Sequence, residues 1–169
     1  MRISFQSPNC CFLAEFNQSP AAQEIIKHLP LDAQASRWQD EIYFETNITA
    51  ADKSTLEVNV GDIAYWPEGK CICVFFGPTP ASSTGKPVPA SPVVIIGKTD
   101  SRPDELRKIK EGDQIKVIQA PQDFFTVYHR YKNKTPGDRK LTQEEIDVLV
   151  QGLLAEKENC EKEKQGQPL

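Results

Sequence analysis

Arg37 and Glu41 lie close together in "RWQDEIYFET", and Asp62 opens a second apolar stretch, "GDIAYWPEGKCICVFFGPTP", that runs from Gly61 to Pro80. Two carboxyls near a guanidinium are what acid–base chemistry needs, because neighbouring charges set the two proton affinities apart. An Asp that follows Gly at a strand start is equally a turn residue, so Glu41 and Asp62 are an expectation with a structural alternative. The same stretches carry Tyr43, Tyr65, Trp66, Phe75 and Phe76, whose flat apolar faces suit the walls of a small-molecule groove. Arg37 and Glu41 would form its polar edge, and Thr79 would bring a hydroxyl to its rim. The ligand-binding candidates are therefore Trp66, Phe76, Arg37, Glu41, Tyr43, Tyr65 and Thr79. No catalytic residue is fixed, and Arg37 is the one candidate.

Other chemistries find little support. The five cysteines (Cys10, Cys11, Cys71, Cys73 and Cys160) form no C-x-x-C pair and have no His at ligand spacing. They read as reduced thiols, with Cys71 and Cys73 as small core residues, so neither a metal site nor a cofactor is expected. His28 fits the carboxyl end of a helix, where a cation meets the negative end of the dipole. "SSTGK" at 82–86 lacks the spacing of a phosphate loop, and no nucleophile elbow is present. A net charge of −4 argues against a nucleic-acid partner, which would want a cationic face. No apolar run approaches the ~20 residues that span a bilayer. The start, "MRISF", enters a strand pattern without the marks of a signal peptide, so a cytoplasmic location and no membrane partner are expected.

The elements that would position these residues are mostly strands. Residues 2–6 and 10–16 read as a hairpin around the turn formers Ser7, Pro8 and Asn9. "SPAAQEIIKHLP" carries a helix signature: Ser19 caps, Pro20 takes the first helical position, Ile25, Ile26 and Leu29 form an apolar face, and Pro30 ends it. Period-two alternation then sets Ile42, Phe44 and Thr46 against Glu41, Tyr43 and Glu45. It recurs at Leu56, Val58 and Val60, and strands follow at 63–66, 71–76, 93–98 and 115–119. "RPDELRKI" predicts a short helix. About eight strands need a way to dispose of their edges, so the fold class expected is mainly β, a closed eight-stranded antiparallel barrel with one or two short helices. Alternation divides the Gly61–Pro80 stretch between two faces, and the expectation is that Ala64, Trp66, Ile72, Val74 and Phe76 share the one that borders a groove. The Pro- and Ser-rich segment 78–92 reads either as a lid or as a strap around the barrel.

Beyond Gln119 the pattern changes. Residues 120–141 interleave aromatics with bases, 142–158 form an amphipathic helix with a Thr142/Glu145 capping box, and 159–169 read as a disordered tail. The helix needs a partner surface, which makes a homo-oligomer through 142–158 a further expectation. The aromatic and basic connector could stack on single-stranded nucleic acid, but such stretches more often pack their rings and leave their charges in water.

"RWQDEIYF", then "VGDIAYWPEGKCICVFFGPTP", then "SPVVIIGK" resemble, in order, the prokaryotic cyclophilin-like family of small single-barrel proteins, over residues 1–119. The resemblance implies an eight-stranded antiparallel barrel, and a relation in fold to the peptidyl-prolyl isomerases. It sets Trp66 at a groove wall and Phe76 at a proline pocket. The Phe-His-Arg and Gln-Gly-Gly-Asp motifs that carry the isomerase arginine have no counterpart in residues 33–41, and Arg37 is merely near. "YHR" at 128–130 falls after the last barrel strand. The function expected is binding of a small molecule or a proline-containing peptide without efficient isomerase activity. The alternatives are an isomerase of atypical mechanism and an interaction protein working through its carboxyl-terminal extension.

Overall fold

A computed structural model describes residues 1–120 of the chain. Strands β1 (Arg2–Gln6) and β2 (Cys11–Phe16) form the opening hairpin. Its turn is fastened at Ser7, whose hydroxyl donates to the Cys10 carbonyl at 2.9 Å and accepts from the Cys10 amide at 3.1 Å. Helix α1 (Pro20–Lys27) follows, with the Ser19 hydroxyl accepting from the Ala22 amide at 3.2 Å. Ala21, Ala22 and Ile25 are buried, and Ile26 and Leu29 pack at the edge of the same core. His28 stands at the helix carboxyl end, its Nδ1 2.8 Å from the Glu24 carbonyl.

The remaining strands are β3 (Leu31–Gln34), β4 (Ser36–Arg37), β5 (Glu41–Glu45), β6 (Asp62–Trp66), β7 (Cys71–Phe75), β8 (Val94–Lys98) and β9 (Gln114–Gln119), with the one-turn helix α2 (Pro103–Leu106) before β9. All pairings are antiparallel, in the order β3-β9-β1-β2-β8-β6-β7-β5-β4. The two ends of this order, β3 and β4, are separated in sequence only by Ala35. One extended segment therefore pairs with β9 at one edge and β5 at the other, which nearly closes the barrel. Ala35 itself is held by its amide on Asp113 O and its carbonyl under Gly112 N, both at 2.8 Å. Counted as one interrupted strand, β3 and β4 give the expected eight; counted separately, nine.

The barrel interior is aromatic. Phe5 stacks on Phe12 with centroids 4.6 Å apart and meets Phe16 and Phe44 at 6.2 Å. Ile42 and Phe44 point inward as alternation requires, while Glu41 and Tyr43 face out. Gly97 of β8 stands opposite Phe16, and a Cβ there would come within 2.7 Å of the Glu15 carbonyl and 2.9 Å of the Phe16 ring. Its missing side chain lets β2 and β8 approach.

The β6–β7 hairpin corrects one expectation. Ile63 pairs with Val74, Ala64 with Cys73, Tyr65 with Ile72 and Trp66 with Cys71. Directly opposed residues share a face, so Ile63, Tyr65, Ile72, Val74 and Phe76 belong to the interior core. Ala64, Trp66, Cys71, Cys73 and Phe75 lie on the outer face, with Val58 and Val93 packed over them. Trp66 and Phe76 are thus on opposite sides of the sheet. The connection 67–70 sets this register, and a shift of one residue exchanges the faces of a whole strand.

A second correction concerns 56–60. No strand forms there; an isolated bridge, Thr55 to Val93, precedes the segment, and both edges of β6 are taken by β7 and β8. Val58 is buried in the outer cluster, but Leu56 and Val60 are exposed. Among the described residues, no helix is long and apolar enough to cross a membrane. The 120–141 connector beyond Ala120, the 142–158 helix and the 159–169 tail lie outside the described residues.

Candidate functional site

On the outer face of β5, β7 and β6, side chains that alternation turns away from the barrel border a cavity of about 300 Å³, at the small end of the range for ligand pockets. Glu41 and Tyr43 of β5, Cys73 of β7 and Trp66 of β6 come from the sheet, and Trp38 from the turn before β5. That turn is closed by the Trp38 and Glu41 backbones, with N–O distances of 2.9 and 3.3 Å. Across from the sheet, Pro89, Ala90, Ser91 and Val93 complete the lining. Trp38 and Trp66 are the only two tryptophans in the chain, and both line the cavity.

The loop 78–92 is folded on itself at Thr79 and fastened to its surroundings at Ser91 and at Val93, just beyond it. Thr79 is buried, with its hydroxyl donating to the Val88 carbonyl and its amide donating to Ser82 Oγ at 2.9 Å. Trp66 Nε1 donates to Ser91 Oγ at 2.7 Å, and Ser91 Oγ donates in turn to Glu68 Oε2 at 3.3 Å. The Val93 backbone makes both hydrogen bonds of its bridge with Thr55, at 2.8 and 2.9 Å. The proline-rich segment therefore does what a strap does, and its far end also supplies pocket wall.

Glu41 is the only ionisable carboxyl among these lining residues. It is 6% exposed, and its Oε2 has no hydrogen-bond partner. Burial raises its pKa to about 7, opposed by a hydrogen bond from the Cys73 thiol. Removing a carboxylate from water without a cation beside it favours the neutral acid. Burial, with Glu41 nearby, likewise pushes the Cys73 thiol well up, and burial raises Cys71 to about 11. Both cysteines are free thiols held in the protonated, unreactive form. Among the described residues, no group of His, Cys, Asp and Glu is arranged to hold a metal ion.

The expected site residues divide accordingly. Trp66, Glu41 and Tyr43 meet at the cavity, while Phe76 and Tyr65 belong to the interior core and are not part of its lining. The Tyr65 hydroxyl donates to the Ile48 carbonyl at 2.6 Å. Thr79 is a fastener of the loop, not a rim hydroxyl. Arg37 pairs with Ile42 and lies on the inward side, its guanidinium 5.0 Å from the centre of the Phe76 ring. It donates to Ile109 O at 2.9 Å and Gln39 O at 2.6 Å, so its donors are engaged in joining loops. Asp62 opens β6 and fastens the turn before it: its Oδ2 accepts from the Asn59 amide at 2.8 Å, and Lys98 Nζ lies 3.8 Å from its Oδ1. Strand β7 separates it from Glu41, so the carboxylate pair is not formed.

Trp38 and Cys73 were not among the expected ligand residues. Trp38 precedes the strand, outside the alternation that picked out Tyr43, and the signal available was that the chain's other tryptophan lay in a candidate wall. Cys73 needed the hairpin register.

A family model described as cyclophilin-like matches residues 1–118. The chain is also similar to the solution structure of the hypothetical protein AF2241 from Archaeoglobus fulgidus. The two are 34% identical, with 71% of this chain and 95% of that chain covered and a TM-score of 0.61. No curated protein matches the chain.

Proposed function

Because the chain belongs to the cyclophilin-like family, we propose that it is a binding module whose outer-face pocket receives a small molecule or a proline-containing segment, without efficient isomerase activity. The observation that carries this reading is the lining itself: three aromatic rings, one carboxyl and no Lys or Arg. Flat rings around a cavity of this size remove an apolar ligand from water on several sides. They offer little toward turning a peptide bond, whose barrier is ~18–20 kcal/mol. Each ~1.36 kcal/mol off that barrier is worth tenfold in rate, and a cationic donor at the twisting amide would be the obvious source. Arg37 is on the other side of the sheet, bound to backbone carbonyls. A cytoplasmic location goes with this reading, supported by the buried free thiols of Cys71 and Cys73.

Titrating a capped Ala-Pro dipeptide and a panel of small aromatic compounds against the full chain tests the proposal through tryptophan emission. Saturable quenching without faster cis–trans interchange of the dipeptide is expected. Interchange accelerated by the protein and abolished by Arg37→Ala would replace the reading with isomerase function, and no saturable change with any compound would end it.

A further inference from the structure

The carboxyl of Glu41 is an unusual member of this lining. We propose that the pocket takes small molecules bearing a protonated primary or secondary amine, whose N–H donates to the Glu41 carboxylate while the rings of Trp38, Tyr43 and Trp66 face its charge. The inference rests on the pocket reading above and names the class of ligand.

Three observations support it together. Glu41 lines the cavity with a carboxyl that is buried and incompletely hydrogen-bonded, its Oε2 having no partner, and an added donor stabilises such a group. Two tryptophans and a tyrosine line the same cavity, and aromatic faces attract cations, most of all once water is excluded. No basic side chain among the lining residues neutralises the carboxyl, so the site's one charge is left for a ligand to match.

Ligand chemistry narrows further from the donor requirement. The amide nitrogen within a prolyl ring carries no hydrogen, so a proline ring alone offers the Glu41 carboxyl no donor. A quaternary ammonium matches the charge but has no N–H to donate. A protonated primary or secondary amine on an apolar body satisfies both needs.

Amine binding requires ionised Glu41, and its surroundings set when that occurs. From β7 it faces the protonated thiols of Cys73 and Cys71, and on its own strand Tyr43 and Glu45 are its neighbours. Asp40 beside it is held by Arg107, with Nη2 to Oδ2 at 2.8 Å, and on the loop side Glu68 is the carboxyl that accepts from Ser91. With the Glu41 pKa near 7, binding of a cation displaces a proton below that pH, and affinity should fall about tenfold from pH 8 to pH 6.

The test uses phenethylamine, its neutral isostere 2-phenylethanol and a capped Ala-Pro dipeptide against the full chain, read by the indole N–H signals of Trp38 and Trp66. Phenethylamine is expected to move both signals, at least tenfold more tightly than the alcohol, with the pH dependence above. Glu41→Gln should remove both the preference and the pH dependence. Equal binding of amine and alcohol, or pH-independent amine binding by the unaltered protein, overturns the inference without relying on any variant. Binding of the dipeptide or the alcohol but not the amine overturns it while leaving the pocket reading intact. If no probe moves either indole, both fall.

Discussion

The indole N–H of Trp66 donates to Ser91 Oγ at 2.7 Å and so ties the sheet side of the pocket to the loop that completes it. Trp66 sits at the end of β6, where the hairpin turns, and Ser91 sits just before the strand that pairs with β6 on its other side. The hydrogen bond therefore spans two ends of chain that the sheet already holds close. That makes it a fastener of the pocket wall more than of the barrel.

Ser91→Ala should accordingly cost little stability, about 0.5–1.5 kcal/mol for one partly buried hydrogen bond. Its main effect is expected on the loop: faster solvent exchange of the Trp66 indole N–H, measured by hydrogen exchange, with the core amides of β5 and β7 unchanged. Equal acceleration throughout the sheet would show that the contact supports the barrel instead.

Glu41 gives a pH dependence of known sign. Its folded-state pKa, about 7, lies above the ordinary value of 4.5, so the folded state holds the extra proton between the two. Stability is full below about pH 4.5, falls as pH rises to about 7, and is flat above, by roughly 3 kcal/mol in all for this group. Urea denaturation from pH 5 to pH 8 should show that decline, and Glu41→Gln should flatten it and leave the variant the more stable protein at pH 8.

Tyr65 is buried inside the barrel, with its hydroxyl on the Ile48 carbonyl at 2.6 Å. Tyr65→Phe keeps the ring and strands that carbonyl, for an expected loss of about 1–3 kcal/mol. Because the ring is on the inner face, ligand affinity should not change. A selective loss of binding, seen in the tryptophan emission titration, would place Tyr65 at the pocket after all.

Gly97→Ala should disturb the β2–β8 contact, since the added methyl meets the Glu15 carbonyl and the Phe16 ring at 2.7 and 2.9 Å. Overpacking of this kind costs about 1–3 kcal/mol. Gly85→Ala, where nothing lies within 4 Å, is the matched control, expected within about 0.5 kcal/mol of the parent. Denaturation midpoints of the two variants compare them directly.

Much of the barrel was legible because alternation of apolar and polar residues survives in the strands with one wet or half-covered face. Glu41 and Tyr43 against Ile42 and Phe44 separate the two sides of β5 without any structure. Between Gly61 and Phe76 both faces are covered, one by the interior and one by Val58 and Val93. With no polar face to mark the outside, pattern alone does not tell which partner stands across from Trp66, and the expected groove joins residues of opposite faces. The strand expected at 56–60 failed for a related reason: its alternation was real, but both edges of the strand it would have joined were occupied. Arg37 looked like a site residue by its nearness in sequence to Glu41. Its pairing with Ile42 turns it to the opposite side of the sheet.

On the proposed reading the binding site lies on the outer face between Trp38 and Trp66. Chemical-shift mapping of the full chain with the ligand that saturates tryptophan emission tests this most directly. The largest changes are expected at the two indole N–H groups and the amides of Glu41, Tyr43, Ala90 and Ser91, with the inner residues Tyr65, Phe76 and Arg37 little affected. Changes centred on Arg37 and Phe76, with the indoles unmoved, would contradict the account.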